Sequence, residues 1–263
     1  MLSGPCALLS DVHLGVSPPE VERSLVAFLR SLHGKARSVV INGDLFDFWF
    51  EWRTVIPRDH YRTLAALADL REQGIDVVMT AGNHDGWGGE FLRQDVGISY
   101  EGAGVWQGPI AGWQARVEHG DGLRPVEDRR YRMLRAVIRH PLAVRAFRFL
   151  HPDLGTRIAR GSSTASREHR LFGDSGDGLR RIAHARLTSD PAMDLLVFGH
   201  SHSATLERVT GAGVYANAGS WLSAPTYLWI TDDRIELRRW SSSAEDERLD
   251  AVDRVSEEAL RKP

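Results

Sequence analysis

Cysteine is nearly absent from this chain. Cys6 stands alone among 263 residues, which excludes an internal disulfide, and its place in the apolar run "PCALLS" reads as a buried structural thiol rather than a reactive one. Lysine is almost as scarce: only Lys35 and Lys262 occur, so the cationic surface belongs to arginine. No apolar run reaches the about 18 residues of a membrane span. The opening "MLSGPCALLS" lacks the basic start and long apolar centre of a secretory signal, so the expected location is cytoplasmic. What is present, 42% hydrophobic and 26% charged residues, suits one large globular domain or one domain with a substantial insertion.

The charge is uneven. Residues 124–186 hold fifteen arginines and six acids, a local balance of +9, which leaves −11 for the remainder of a chain whose total is −2. An acidic body with one basic segment points to an anionic partner or to a solvated set of helices, and charge alone leaves both open.

Along the chain, "CALLS", "ARSVVING" and "IDVVMTAG" read as buried strands. Between them "PEVERSLVAFLRSLHG", with Leu25, Phe28, Leu29 and Leu32 at helical spacing, and "HYRTLAALADLREQG" read as amphipathic helices. This alternation predicts βαβ units and a parallel inner sheet. "WQARVEHG", "MDLLVFGH", "ATLERV", "GVYANAG", "TYLWIT" and "RIELRRW" predict a second, antiparallel sheet. The expected fold class is α/β, two packed sheets flanked by helices. Residues 1–123 and 187–240 form its core. Residues 124–186 are an inserted helical cap with breaks at Pro141, Pro152, Gly161 and Gly173, and 241–263 a polar tail or surface helix. No internal repeat is visible.

Five short motifs sit where predicted strands give way to loops, the place where ligands gather in open α/β sheets. They supply Asp11 and His13 ("SDVHLG"), Asp44 ("NGDLFD"), Asn83, His84 and Asp85 ("AGNHDG"), His119 ("EHGDG"), and His200 and His202 ("VFGHSH"). In extended backbone the i, i+2 spacing of Asp11/His13 points both side chains to one side. Two aspartates, one asparagine and four histidines, with His84 left over, suit borderline divalent metals, manganese first and iron or zinc as the other candidates. Seven ligands exceed one ion and suit two if a carboxylate bridges. One such motif alone is usually hydrogen-bonded core; the ordered set is what carries the metal reading. His33, His60, His140, His151, His169 and His184 lack this setting and read as surface or packing residues.

The series "DVH … GD … GNHD … HGD … GHSH" resembles the calcineurin-like metallophosphoesterases, over residues 6–220. The resemblance implies a four-layer α/β/β/α sandwich and a dinuclear centre. Asp11, His13 and His202 would bind the first metal, Asp44 would bridge, and Asn83, His119 and His200 would complete the second, with His84 facing the substrate phosphate. "GDLFDFWFEW … VIPR", "HGDG" and "RHPLAVRAFRFLHPDLGTRIARGSSTASRE" are similar to the UDP-2,3-diacylglucosamine diphosphatase group of lipid A biosynthesis. That narrower resemblance implies a cap that covers acyl chains and contacts the sugar nucleotide. Many of that group read Gly-Asn-Arg-Asp where this chain has Gly-Asn-His-Asp at 82–85.

The expected activity is metal-assisted hydrolysis of the pyrophosphate bond of UDP-2,3-diacylglucosamine to UMP and 2,3-diacylglucosamine 1-phosphate. His84 would donate to a phosphoryl oxygen or the leaving group, while Asp85 would orient it or anchor the loop. Arg160, Ser163 and Arg167 are expected at the mouth of the site, with Asp128 and Tyr131 opposite. Leu134, Val137, Ile138, Leu142, Val144, Phe147, Phe149 and Leu150 are either a small core of the cap or an acyl groove with arginines at headgroup level. "FDFWFEW" is either packing at the sheet edge or a wall of the cleft. "GDSGDG" lacks the context of a phosphate-binding loop and reads as a turn. The partners expected are a lipid-linked sugar nucleotide and the inner membrane surface; no nucleic acid or protein partner is expected. The alternatives are a phosphodiesterase of nucleic acid or cyclic nucleotides, and a non-catalytic scaffold, against which the complete ligand set argues.

Overall fold

The fold rests on four parallel strands, the first three without a fully solvated face between them. In a computed structural model, which describes residues 1–159, 161 and 176–254, β1 (Cys6–Leu9), β2 (Ser38–Asn42), β3 (Asp76–Thr80) and β4 (Ser99–Glu101) pair in parallel, with Leu8 opposite Val40 and Val40 opposite Val78. Strands buried on both faces read as continuous apolar runs, as β1, β2 and β3 do. The crossovers are α1 (Pro19–Ser31) and α2 (Tyr61–Glu72). Proline at the first turn of α1, Glu20 and Glu22 beside it and Arg30 in the last turn all favour a helix there. Leu25, Phe28 and Leu29 of α1 and Leu64, Leu67 and Leu70 of α2 pack on one face of the sheet.

The second sheet comprises β5 (Val105–Ile110), β6 (Trp113–Glu118), β7 (Leu195–Phe198), β8 (Thr205–Arg208) and β9 (Val214–Asn217), in the order β5-β6-β7-β9-β8. Between the sheets lie Cys6, Leu8, Val40, Val78, Val117, Val197 and Ala216. On the outer face α6 (Asp177–Ser189) buries Leu179, Ala183 and Leu187 against Leu196, Phe198 and Tyr215. These are the four expected layers.

Three expectations change. "TYLWIT" and "RIELRRW" become β10 (Thr226–Ile230) and β11 (Arg234–Arg239) of the first sheet, β10 running antiparallel beside β1 with Leu8 opposite Leu228. The second sheet is mixed rather than antiparallel, because β6, β7 and β9 run parallel. The segment read as a polar tail contains β12 (Glu247–Asp253), an exposed edge strand paired with β11. Its charged side chains hide it from hydropathy, and charge is what keeps an edge strand from pairing further.

The inserted segment carries α3 (Arg129–Ile138), α4 (Pro141–Phe147) and α5 (152–159). Pro141 takes the first turn of α4, as a proline break predicts. The expected boundary at residue 186 falls inside α6, which packs on the second sheet as part of the core. Among the described residues no helix is long and apolar enough to cross a membrane.

Candidate metal centre

Every motif leaves the carboxyl end of a strand: Asp11 and His13 follow β1, Asp44 follows β2, Asn83 and His84 follow β3, His119 follows β6, and His200 and His202 follow β7. The backbone there is not extended. Asp11, His13, Asp44, His200 and His202 all have φ between 52° and 62°; the one other described non-glycine residue with positive φ is Ala111. Each such residue costs about 1–3 kcal/mol, and that conformation persists only where neighbours over-determine it. Here the Asp11 amide donates to the Gly43 carbonyl at 3.2 Å and the His13 amide to that of Asp44 at 3.0 Å. The shared direction of Asp11 and His13 therefore comes from paired left-handed turns, not from strand alternation. Glycine is required at Gly82, where a Cβ would lie 2.1 Å from Oδ1 of Asp44.

The side chains converge. Asp11 Oδ1 is 3.3 Å from His202 Nε2, which is 3.1 Å from His13 Nε2. Asp44 Oδ2 lies 3.8 Å from His13 Nε2 and 3.2 Å from His119 Nε2, between the two rings. Ligand atoms of Asp11, His13 and His202 all fall within 4.8 Å of one another, as do those of Asp11, Asp44 and His119, and of His13, Asp44 and His84. Asn83 and His200 pair with each other, His200 Nδ1 to Asn83 Oδ1 at 3.0 Å, at the margin of these groups.

Two observations test whether a cation fits. Asp44 Oδ2 and His119 Nε2 are both buried and face each other, yet make no hydrogen bond. His119 spends its Nδ1 on the Asn42 carbonyl at 2.8 Å; a carbonyl only accepts, so Nδ1 carries a proton and Nε2 is the nitrogen turned to Asp44. Burial opposes a charge on this ring, but the Asp44 and Asp11 carboxylates outweigh it and push His119 up to about 10, so that without a cation Nε2 holds a proton that a bound metal would displace. Burial pushes His13 down to about 3, so that ring is neutral. Burial opposes ionisation of Asp44, but the imidazoles of His119 and His84 outweigh it and hold the carboxyl well below its ordinary range. Imidazoles aimed at an ionised carboxylate are the donor set a divalent metal takes, displacing the protons they carry.

Of the two roles open to Asp85, the geometry gives anchoring. Its carboxylate accepts from the amides of Gly82 and Leu45, both at 2.8 Å, and of Asp44 at 3.3 Å, pinning two ligand-bearing loops together. His84 is oriented instead by Asp47: Nδ1 donates to the Asp47 carbonyl at 3.0 Å, and Asp47 Oδ1 is 3.5 Å from His84 Nδ1 and 3.8 Å from that of His13. The sequence reading missed Asp47, although an acid inside the aromatic run "LFDFWF" is a signal, since a buried carboxylate needs partners. It also missed Asp121, which takes the Tyr131 hydroxyl at 2.5 Å and Arg135 at 3.0 Å.

Beside this centre lies a cavity of about 330 Å³, roofed by Leu134, Ile138, Val144 and Phe147 of the helical cap and floored by Phe48, Phe50 and Trp87, with Asn83, His84 and Tyr131 at its polar end. The aromatic run thus serves both readings. Trp49 is fully buried and stacks on Phe46 at 4.6 Å, while Phe50 meets Phe147 across the cleft at 4.8 Å. Among its described residues the cap shows no core of its own: α3 and α4 bury no residue. Asp128 is buried but turned to Arg124, whose Nη2 is 2.7 Å away, and does not line the cavity. Arg160, Ser163 and Arg167 lie outside the described residues.

A family model for the calcineurin-like phosphoesterases matches residues 4–204. The chain is similar to a UDP-2,3-diacylglucosamine hydrolase of Porphyromonas gingivalis, 31% identical over 73% of this chain and 81% of that one. A protein of the same name from Neisseria meningitidis is 29% identical over 79% and 86%. Among solved structures, a dimetal phosphatase from Danio rerio is 13% identical with a TM-score of 0.46, covering 93% of this chain and 98% of that one.

Proposed function

The chain belongs to the calcineurin-like phosphoesterase family and is a hydrolase, and from that premise we propose that it cleaves the pyrophosphate bond of UDP-2,3-diacylglucosamine, releasing UMP and 2,3-diacylglucosamine 1-phosphate. The observation that carries this reading is the apolar cavity opening beside Asn83 and His84. A small phosphate ester has no use for it; an acyl chain gains about 0.8 kcal/mol for each CH₂ it buries there.

In this reading Asp11, His13, Asp44, Asn83, His119, His200 and His202 would hold two divalent ions, manganese by preference, with Asp44 serving both. Such ions supply charge stabilisation at phosphoryl oxygens and a water of lowered pKa. His84, fixed through Nδ1 by Asp47, turns Nε2 to the phosphate and donates there. Tyr131 marks the headgroup end of the groove, with Arg160, Ser163 and Arg167 contributing polar contacts. Asp128 holds Arg124 instead of substrate. Val126, Met133, Val137, Leu142 and Phe149 are exposed among the arginines of the cap. We read that mixed face as resting on the anionic inner membrane surface.

The rival substrate, a nucleic-acid or cyclic-nucleotide diester, fits less well. A polyanionic strand needs cations along its path, and the described lining of this cavity contains no arginine or lysine. The test is a panel of UDP-2,3-diacylglucosamine, bis-p-nitrophenyl phosphate and single-stranded DNA with Mn²⁺. Strong preference for the lipid nucleotide is expected. Preference for DNA, or turnover of the small diester alone, would overturn the assignment.

A further inference from the structure

Helix α3 touches the groove with one side and the catalytic loops with the other. Leu134 and Ile138 form part of the groove wall. At the helix end Arg139, half-buried, sends Nη2 to the Gly82 carbonyl at 2.7 Å, and the Trp87 indole donates to the Ile138 carbonyl at 3.1 Å. Gly82 and Trp87 bracket Asn83, His84 and Asp85. A Cβ on Gly86 would lie 2.6 Å from Nη2 of Arg139, so the guanidinium rests directly on the loop backbone. From there the contact continues inward, because the His84 amide donates to Asp44 Oδ1 at 2.9 Å.

With no buried residue of its own, α3 belongs to the low-stability end of the molecule. An alkyl chain in the groove would supply the apolar packing that the helix lacks. We propose that Arg139 is a positioning residue that couples filling of the groove to the placement of Asn83 and His84, so that the acyl part of a substrate raises turnover as well as affinity. Binding energy from a remote part of a substrate accelerates a reaction when it is used to position reacting groups. The proposal rests on the lipid reading above for the natural occupant of the groove, while the coupling is a property of α3 and loop 82–88.

The experiment uses the metal-loaded wild-type chain and its Arg139→Gln, Arg139→Lys and Gly86→Ala variants. Each hydrolyses bis-p-nitrophenyl phosphate with and without neutral dodecyl glucoside below its micelle concentration, and hydrogen exchange is followed in parallel. In the wild type the amphiphile should slow exchange in α3 and in residues 82–88. It should raise kcat by roughly tenfold, the change given by ~1.4 kcal/mol, with little effect on KM. In Arg139→Gln, and in Gly86→Ala where a methyl displaces the guanidinium, α3 should still be protected while loop and kcat no longer respond. Arg139→Lys should recover part of the response. Equal activation of wild type and Arg139→Gln, or an α3 protected with kcat unmoved in the wild type, would overturn the coupling alone. Absence of any protection in α3 would overturn the lipid reading, and the coupling with it.

Discussion

The metal centre and the helical cap border the same cavity and are held in opposite ways. At the centre Asp11, His13, Asp44 and His119 are at most 1% exposed, and left-handed backbone is locked by hydrogen bonds between loops. In the cap α3 and α4 bury nothing, and Val137, Leu142 and Phe149 are 63%, 69% and 85% exposed. The reacting part of a substrate meets a surface fixed in advance, where a displacement of an ångström is costly. In the proposed reading the variable part meets the exposed cap, a surface that can accept different fillings. Disturbing the first should change chemistry; disturbing the second should change which substrate is served.

The largest effect is expected at Asp44. If its Oδ2 is shared by two ions, Asp44→Ala should reduce activity by roughly 10⁴-fold or more and metal content to below two per chain. Two tightly held ions in that variant, measured by elemental analysis, would remove the bridging role. His84→Ala comes next, keeping the metal and losing roughly 10²–10³-fold in kcat. Metal lost together with activity would make His84 a ligand. The same loop separates orientation from anchoring. Asp47→Asn leaves the backbone carbonyl that accepts from His84 Nδ1 and removes only the carboxylate charge 3.5 Å from that nitrogen, so it should lower kcat by roughly tenfold at nearly unchanged Tm. Asp85→Ala strands the amides of Gly82 and Leu45, at about 1–3 kcal/mol each, and should appear chiefly as a lower Tm. Reversed outcomes would restore Asp85 as the partner of His84.

A smaller and selective effect is expected across the cavity. Val144→Asp places a carboxylate in the groove wall, where an alkyl chain cannot compensate it. It should lower kcat/KM for UDP-2,3-diacylglucosamine by roughly 10–100-fold, and lower it more than for bis-p-nitrophenyl phosphate. Equal losses on both substrates would mean that the cap supports the centre structurally, and the contrast between the two regions would disappear.

The same contrast explains what the sequence disclosed. Short motifs after strands named the ligand candidates, because Asp11 and Asp44 follow apolar runs and His119 follows an alternating strand, patterns that admit one reading. Asp47 and Asp121 escaped notice, since their partners lie outside their own motifs: the His84 ring 3.5 Å from the Asp47 carboxylate for one, Tyr131 and Arg135 for the other. The assignment of β10 and β11 to a sheet also depended on pairing, as Leu228 and Ile230 look alike whether they line one sheet or its neighbour. β12 pairs through its backbone with side chains almost wholly exposed, so no hydrophobic alternation marks it. In the cap, apolar residues at helical spacing suited a private core and a ligand groove equally well. That Leu134, Ile138, Val144 and Phe147 line a cavity over Phe48 and Phe50 is a placement the spacing does not encode.

The smallest effect on activity, and the sharpest gauge of rigidity, comes from Cys6. It lies at 0% exposure on β1, five residues before Asp11, and burial pushes its thiol from 9.0 up to about 12, with the Ser38 hydroxyl offsetting part of the rise. The folded chain therefore keeps a proton that the unfolded chain gives up above about pH 9. The stability due to that thiol is complete below pH 9 and is lost as pH rises toward 12, at about 1.4 kcal/mol per pH unit. Urea unfolding at pH 8 and pH 10 should show a steeper alkaline loss for the wild type than for Cys6→Ala, with equal hydrolytic activity at pH 8. Near neutrality a thiol reagent should leave native Cys6 untouched while rapidly labelling a Val144→Cys, Cys6→Ala variant in the cap. Labelling of the two sites at similar rates would show that β1 opens as readily as α4, and the metal centre would then owe its geometry to the ions rather than to the fold.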